Sequence, residues 1–161
     1  VWFNHGGKES IASYKSFTKE QKKEHLDFFK AMPLYHIDDE KRLFVHAGFT
    51  SMHGVEKEYD QVNFYFDRTL WEMALTMDKR IDENSEIYPK RLKHYAEIYI
   101  GHTPTINYFK MHPMNAINVW NVDTGAAFTG RLSAIDIETK DIFQSDILRN
   151  LYPNELGRNK I

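Results

Sequence analysis

Two histidines follow short apolar runs and sit beside glycines, in Val45-His46-Ala47-Gly48 and Ile100-Gly101-His102-Thr103. Sites in α/β proteins cluster just beyond the carboxyl ends of strands. A neutral imidazole placed there can hold a divalent metal, and a neighbouring glycine lets substrate or metal come close to the backbone. The two histidines are 56 residues apart, unlike the helical His-x3-His spacing of zinc proteases. On spacing alone, each reads equally well as a hydrogen-bonded core or turn residue. A third strand end, Asn121-Val122-Asp123-Thr124-Gly125, carries an aspartate. Asp123 reads first as a turn cap that orients a loop beside the site, which is ordinary aspartate chemistry next to a glycine, and only second as a ligand or base.

These residues need strands to carry them. Leu43-Phe44-Val45, Ile98-Tyr99-Ile100 and Ile117 to Val122 are compact apolar segments of strand length. Leu34 to Ile37 is a further short strand, turned by Asp38 and Asp39. The alternation from Arg131 to Ile137, followed by Ile142 and Phe143, predicts an antiparallel hairpin. Between the strands, Thr18 with Gln21 is a capping-box pattern. It opens a helix whose His25, Phe28, Phe29 and Met32 form an apolar stripe and which Pro33 stops. A second helix is expected over 67–77, with Leu70, Ala74 and Met77 on one face, and a short basic one over 89–95. Asn4-His5-Gly6-Gly7 reads as a tight turn. Lys90, Arg91 and Lys93 read as a solvated face, as do Lys19, Lys22 and Lys23.

Composition limits the classes of function. Of 161 residues, 42% are apolar and 14% aromatic, which excludes a disordered or low-complexity chain. The net charge of −2 gives no strong field for nucleic acid or an anionic membrane. Cysteine is absent, so thiolate metal sites, disulfides and cysteine nucleophiles are excluded. No apolar run approaches the roughly 20 residues that span a bilayer, and the first residues do not read as a secretory signal. The expected location is cytoplasmic, with neither a nucleic acid nor a membrane as partner.

Five segments occur in an order that resembles the calcineurin-like metallophosphoesterase superfamily, most closely its bacterial serine/threonine protein phosphatases. They are Trp2-Phe3-Asn4-His5-Gly6-Gly7, Phe44-Val45-His46-Ala47-Gly48, Asp67-Arg68-Thr69-Leu70-Trp71, Ile100-Gly101-His102-Thr103-Pro104 and Asn121-Val122-Asp123-Thr124-Gly125. The last continues through Phe128-Thr129-Gly130-Arg131-Leu132. The resemblance implies an α/β sandwich of two mixed β-sheets flanked by helices. It implies two divalent metals (Mn first, with Fe, Zn or Mg as options), with His46 and His102 as ligands of the second metal and Arg68 on the substrate phosphate. Pro104 stands where other branches carry a further metal-binding histidine.

The superfamily's first motifs, Gly-Asp-x-His-Gly, Gly-Asp-x-x-Asp-Arg-Gly and Gly-Asn-His-Glu, do not occur here. No catalytic residue is therefore assigned. Residues 1–147 are expected to be the C-terminal portion of the phosphoesterase domain and 148–161 a loose tail. The expected function of the parent protein is metal-dependent phosphoester hydrolysis of the serine/threonine phosphoprotein phosphatase type, on a phosphoprotein or small phosphoester, with the chain by itself inactive. The alternatives are a symmetrical dinucleoside-tetraphosphate hydrolase on the same fold and a degenerate, non-catalytic interaction domain. Self-association through an uncovered sheet face is a further expectation.

Overall fold

The computed structural model describes residues 3, 7–155 and 157, so the expected Asn4-His5-Gly6 turn lies outside the described residues. The chain divides after Pro33 into two compact units. The first contains α1 (Gly7–Ser13) and α2 (Lys19–Ala31). α2 begins as the capping pattern predicts: the Gln21 N–H donates to the Thr18 hydroxyl at 3.2 Å, and the Thr18 N–H donates to the Gln21 side chain at 2.9 Å. Two orphan donors of the first turn are thereby satisfied. Met32 leaves the helix in an extended conformation, as the residue before a proline must. His25 packs against the Tyr14 and Phe17 rings, while Phe28, Phe29 and Met32 are exposed.

The second unit is built on a five-stranded sheet of order β1-β2-β3-β5-β4, with a separate two-stranded sheet, β6-β7. The strands are β1 (Tyr35–Ile37), β2 (Arg42–Val45), β3 (Glu97–Ile100), β4 (Met114–Ala116), β5 (Val119–Asn121), β6 (Ser133–Ile135) and β7 (Ile142–Gln144). β2, β3 and β5 run parallel at the centre, and antiparallel β1 and β4 close the edges. The helices α3 (Asn63–Phe66), α4 (Thr69–Thr76) and α5 (Lys90–Lys93) lie between β2 and β3 in sequence. This is the mixed α/β architecture of a metallophosphoesterase-like fold. The second sheet, among the described residues, is the antiparallel hairpin that the alternation from Arg131 to Ile137 predicts.

Side chains alternate across the pleat. Leu43, Ile98 and Val119 align in register on one face and are fully buried beneath Leu70, Trp71 and Ala74 of α4 and Leu92 of α5. The expected helix face thus delivers Leu70 and Ala74 to the core, with Met77 packed at its margin. On the other face Phe44, Tyr99 and Trp120 stack ring on ring, with centroids 5.1 and 6.5 Å apart. The Lys140 ammonium, in the β6–β7 turn, closes over this row. It donates to Glu97 and to the Tyr99 hydroxyl, each at 2.7 Å, and to the Ile137 carbonyl. Arg42 ties the same turn to the sheet by pairing with Glu138 at 2.5 Å and with Asp38 at 2.6 Å.

β4 has no counterpart among the strands expected from sequence, and the strand expected over Ile117 to Val122 is confined to Val119–Asn121. Its turn into β5 is Ile117-Asn118, with Ile117 at φ 57, a conformation a β-branched residue rarely adopts. Residues 148–151, within the expected tail, form the short helix α6 (Leu148–Leu151), and the Leu148 N–H donates to the Gly130 carbonyl at 3.1 Å. No helix among the described residues is long and apolar enough to cross a membrane.

Candidate active site

The parallel strands bring their carboxyl ends to one edge of the sheet. His46 leaves β2, and its carbonyl accepts the Gly101 N–H at 2.8 Å, so the exits of β2 and β3 are locked together. His102 follows at φ 65, and across it the Thr103 N–H donates to the Gly101 carbonyl at 2.7 Å. A bond of this span with a left-handed central residue is the strained form of γ-turn. Such a conformation costs on the order of 1–3 kcal/mol and survives only where its surroundings impose it. Asn121 supplies part of that constraint: it is fully buried at the end of β5, and its amide donates to the Thr103 carbonyl at 2.7 Å. The imidazoles of His46 and His102 consequently meet edge to face, with ring centroids 5.2 Å apart. The Phe66 ring sits 5.8 Å from that of His102.

Arg68 lines the same cavity, of about 290 Å³, as His46 and His102. The residue before it holds it in place. Asp67 is buried, and its carboxylate accepts the Thr69 N–H at 3.0 Å, the Leu70 N–H at 3.1 Å and the Thr69 hydroxyl at 2.7 Å. It thereby satisfies the first turn of α4. Gly48 makes room for this carboxylate, since a Cβ there would lie 2.5 Å from the Asp67 Oδ2. The glycine two residues after His46 therefore permits the cap that orients Arg68.

Arg91 was expected on a solvated face and is instead half-buried behind the site. Its guanidinium donates to the Phe49 carbonyl at 2.8 Å and the Thr69 hydroxyl at 3.0 Å. It joins the segment after His46 to the segment after Arg68. Burial presses this guanidinium below its ordinary pKa, against the raising influence of Asp67 and Glu58. Lys90 and Lys93 are exposed, as expected.

Asp123 also lines the cavity. Its N–H donates to Asn121 Oδ1 at 3.1 Å, its Oδ1 accepts the Gly125 N–H at 2.9 Å, and its carbonyl accepts the Thr105 N–H at 2.7 Å. These are the bonds of a turn cap. Pro104, Ile106 and Phe128 line the cavity as well, with Asn107 and Ala127 at exposed positions, and sequence reasoning assigned none of these as a site residue. None of His25, His36, His53, His94 or His112 lines the cavity.

The donor set is incomplete for a metal. Among the described residues, no three His, Cys, Asp or Glu side chains gather to hold one ion. A tetrahedral site takes at least three protein ligands, so His46 and His102 need further donors before an ion is held. With Arg68 they form a cluster suited to an anion: two imidazoles and a planar cation able to grip phosphate oxygens in pairs.

Comparison with known proteins bears on which anion. No protein-family model matches the chain. In sequence the chain is similar to the bis(5'-nucleosyl)-tetraphosphatase PrpE [asymmetrical] of Bacillus thuringiensis (strain Al Hakam), at 32% identity over 138 residues, 81% of this chain and 52% of the relative. The protein of the same name from Bacillus anthracis (strain CDC 684 / NRRL 3495) is 32% identical over 142 residues, 84% of this chain and 54% of the relative. That of Bacillus cereus (strain ATCC 10987 / NRS 248) is 30% identical over the same length. The chain spans about half the length of the curated relatives it matches. This similarity supports the resemblance at the level of the superfamily and does not reach the protein-phosphatase branch.

Proposed function

We propose that the whole protein is a metal-dependent hydrolase that cleaves the phosphate chain of dinucleoside tetraphosphates, and that this chain supplies the phosphate-gripping part of its site. The observation that carries the reading is the convergence of His46, Arg68 and His102 on one cavity from three separate segments. The names of the relatives favour a tetraphosphate over the phosphoprotein first expected. Arg68 binds phosphate oxygens, while the Asn121 bond to the Thr103 carbonyl and the Gly101 bond to the His46 carbonyl steady the segments that carry the two imidazoles. His46 and His102 are two ligands of a divalent ion whose other ligands lie outside residues 34–155. Such an ion supplies charge neutralisation and an acidified water.

Diadenosine tetraphosphate and a phosphoserine peptide, each offered to the whole protein with Mn, test this. Turnover of the tetraphosphate, abolished by a chelator and restored by metal, is expected. Faster turnover of the peptide would return the protein-phosphatase reading. The products also report the cut: a monophosphate with a triphosphate for the asymmetrical cleavage the relatives are named for, and two diphosphates for a symmetrical one.

A further inference from the structure

The cavity is lined by two chemically different sets of residues. One is the cluster of His46, Arg68 and His102, suited to phosphate. The other is an apolar wall of Pro104, Ile106 and Phe128, with the Asn107 side chain at its exposed rim. A phosphate has no use for that wall. We propose that the wall is a nucleobase subsite: Ile106 and Phe128 take the flat face of a purine, and the Asn107 amide meets its polar edge, while the 5'-phosphate reaches Arg68. This rests on the nucleotide reading of the preceding section and adds the residues that recognise the base.

The wall is held from behind by specific bonds. Thr105 is fully buried; its N–H donates to the Asp123 carbonyl at 2.7 Å and its hydroxyl to the Lys110 carbonyl at 2.9 Å. Ile106, next to it, lies directly on Gly125, where a Cβ would come within 2.6 Å of the Ile106 Cδ1 and where φ is +77. A side chain larger than hydrogen would push Ile106 into the cavity. The Phe128 N–H donates to the Gly125 carbonyl at 2.9 Å, closing the turn that places Phe128 on the lining. One glycine thus fixes both apolar residues relative to Asp123. A nucleobase stacked on such a surface gains affinity whatever its sequence context, because every base has a π face. An asparagine amide, with a donor and an acceptor side by side, matches the paired donor and acceptor on adenine. A phosphoserine side chain offers neither a flat face nor a polar edge.

The test compares two ligands that share sugar and phosphate and differ only in the base. AMP and ribose 5-phosphate are titrated by calorimetry into the whole protein with Mn. AMP is expected to bind about tenfold or more tightly. The ratio is expected to fall towards one in Phe128→Ala and to drop in Asn107→Ala, which alters an exposed position and spares the fold. A wild-type ratio near one, or an unchanged ratio in both variants, overturns the subsite. Binding is read without turnover, so the two proposals fail separately. A protein that selects AMP yet leaves the tetraphosphate intact keeps the subsite and loses the hydrolase. One that cuts the tetraphosphate and binds both ligands equally does the reverse.

Discussion

Arg68 is the only arginine or lysine among the described residues lining the cavity, so its removal is expected to act on the phosphate directly. Arg68→Ala in the whole protein is expected to lower kcat/KM by about 10²-fold, the usual cost of losing one charge-stabilising donor. Arg68→Lys recovers only part, because an ammonium cannot grip two oxygens in one plane. Steady-state kinetics decide it, and a loss below about threefold removes Arg68 from the phosphate. Gly48→Ala tests the support under it. The new Cβ collides with the Asp67 carboxylate, with an expected cost of about 1–3 kcal/mol, read as a lower melting temperature. His46 and His102 could be singled out from sequence because each follows a strand-length apolar run and sits beside a glycine. Arg91 could not. Its acceptors, Phe49 and Thr69, are 42 and 22 residues away, so its burial depends on tertiary contacts that local charge patterning does not encode.

Helices and strands with local signals matched their sequence cues. α2 follows from Thr18 and Gln21, and the three central strands from their apolar runs. β4 did not, because its turn places Ile117 in a conformation for which its side chain gives no cue. The segment from Thr50 to Asp60 has a different organiser. Glu58 accepts the Ser51 N–H at 2.9 Å and the Asn63 amide at 3.0 Å, as well as the Thr50 N–H. Burial pushes the Glu58 carboxyl up, but these donors outweigh it and hold it below its ordinary value. A carboxylate lowered in the folded state stabilises above its ordinary pKa, and that contribution fades as pH falls through the folded value. The melting-temperature gap between the wild type and Glu58→Gln should therefore be full at neutral pH and shrink below about pH 4.5. A gap that is constant with pH would show that the charge on Glu58 does not hold this segment.

For the molecule as a whole, the proposed function makes activity depend on the number of metal ligands. His46 and His102, without a third donor gathered beside them among the described residues, should leave residues 1–161 unable to turn over p-nitrophenyl phosphate with Mn above background, while the whole protein is expected to do so. Comparable rates from both would show that the described cavity needs nothing more. The two strand-end histidines were legible in short-range pattern, whereas the fold class and Arg68 were legible only through the resemblance of the ordered motifs. The apolar wall was not legible, because its members become neighbours through tertiary contacts, the Thr105–Asp123 bond and the packing of Ile106 on Gly125. The parallel sheet keeps its buried face in the strand bodies and its chemistry in the loops beyond their ends. Change at the exposed positions Asn107 and Ala127 therefore falls outside Leu43, Ile98 and Val119, and outside buried Thr105. A lineage of such proteins could retune what the cavity accepts by drift at those two exposed positions, with little selection against it from folding.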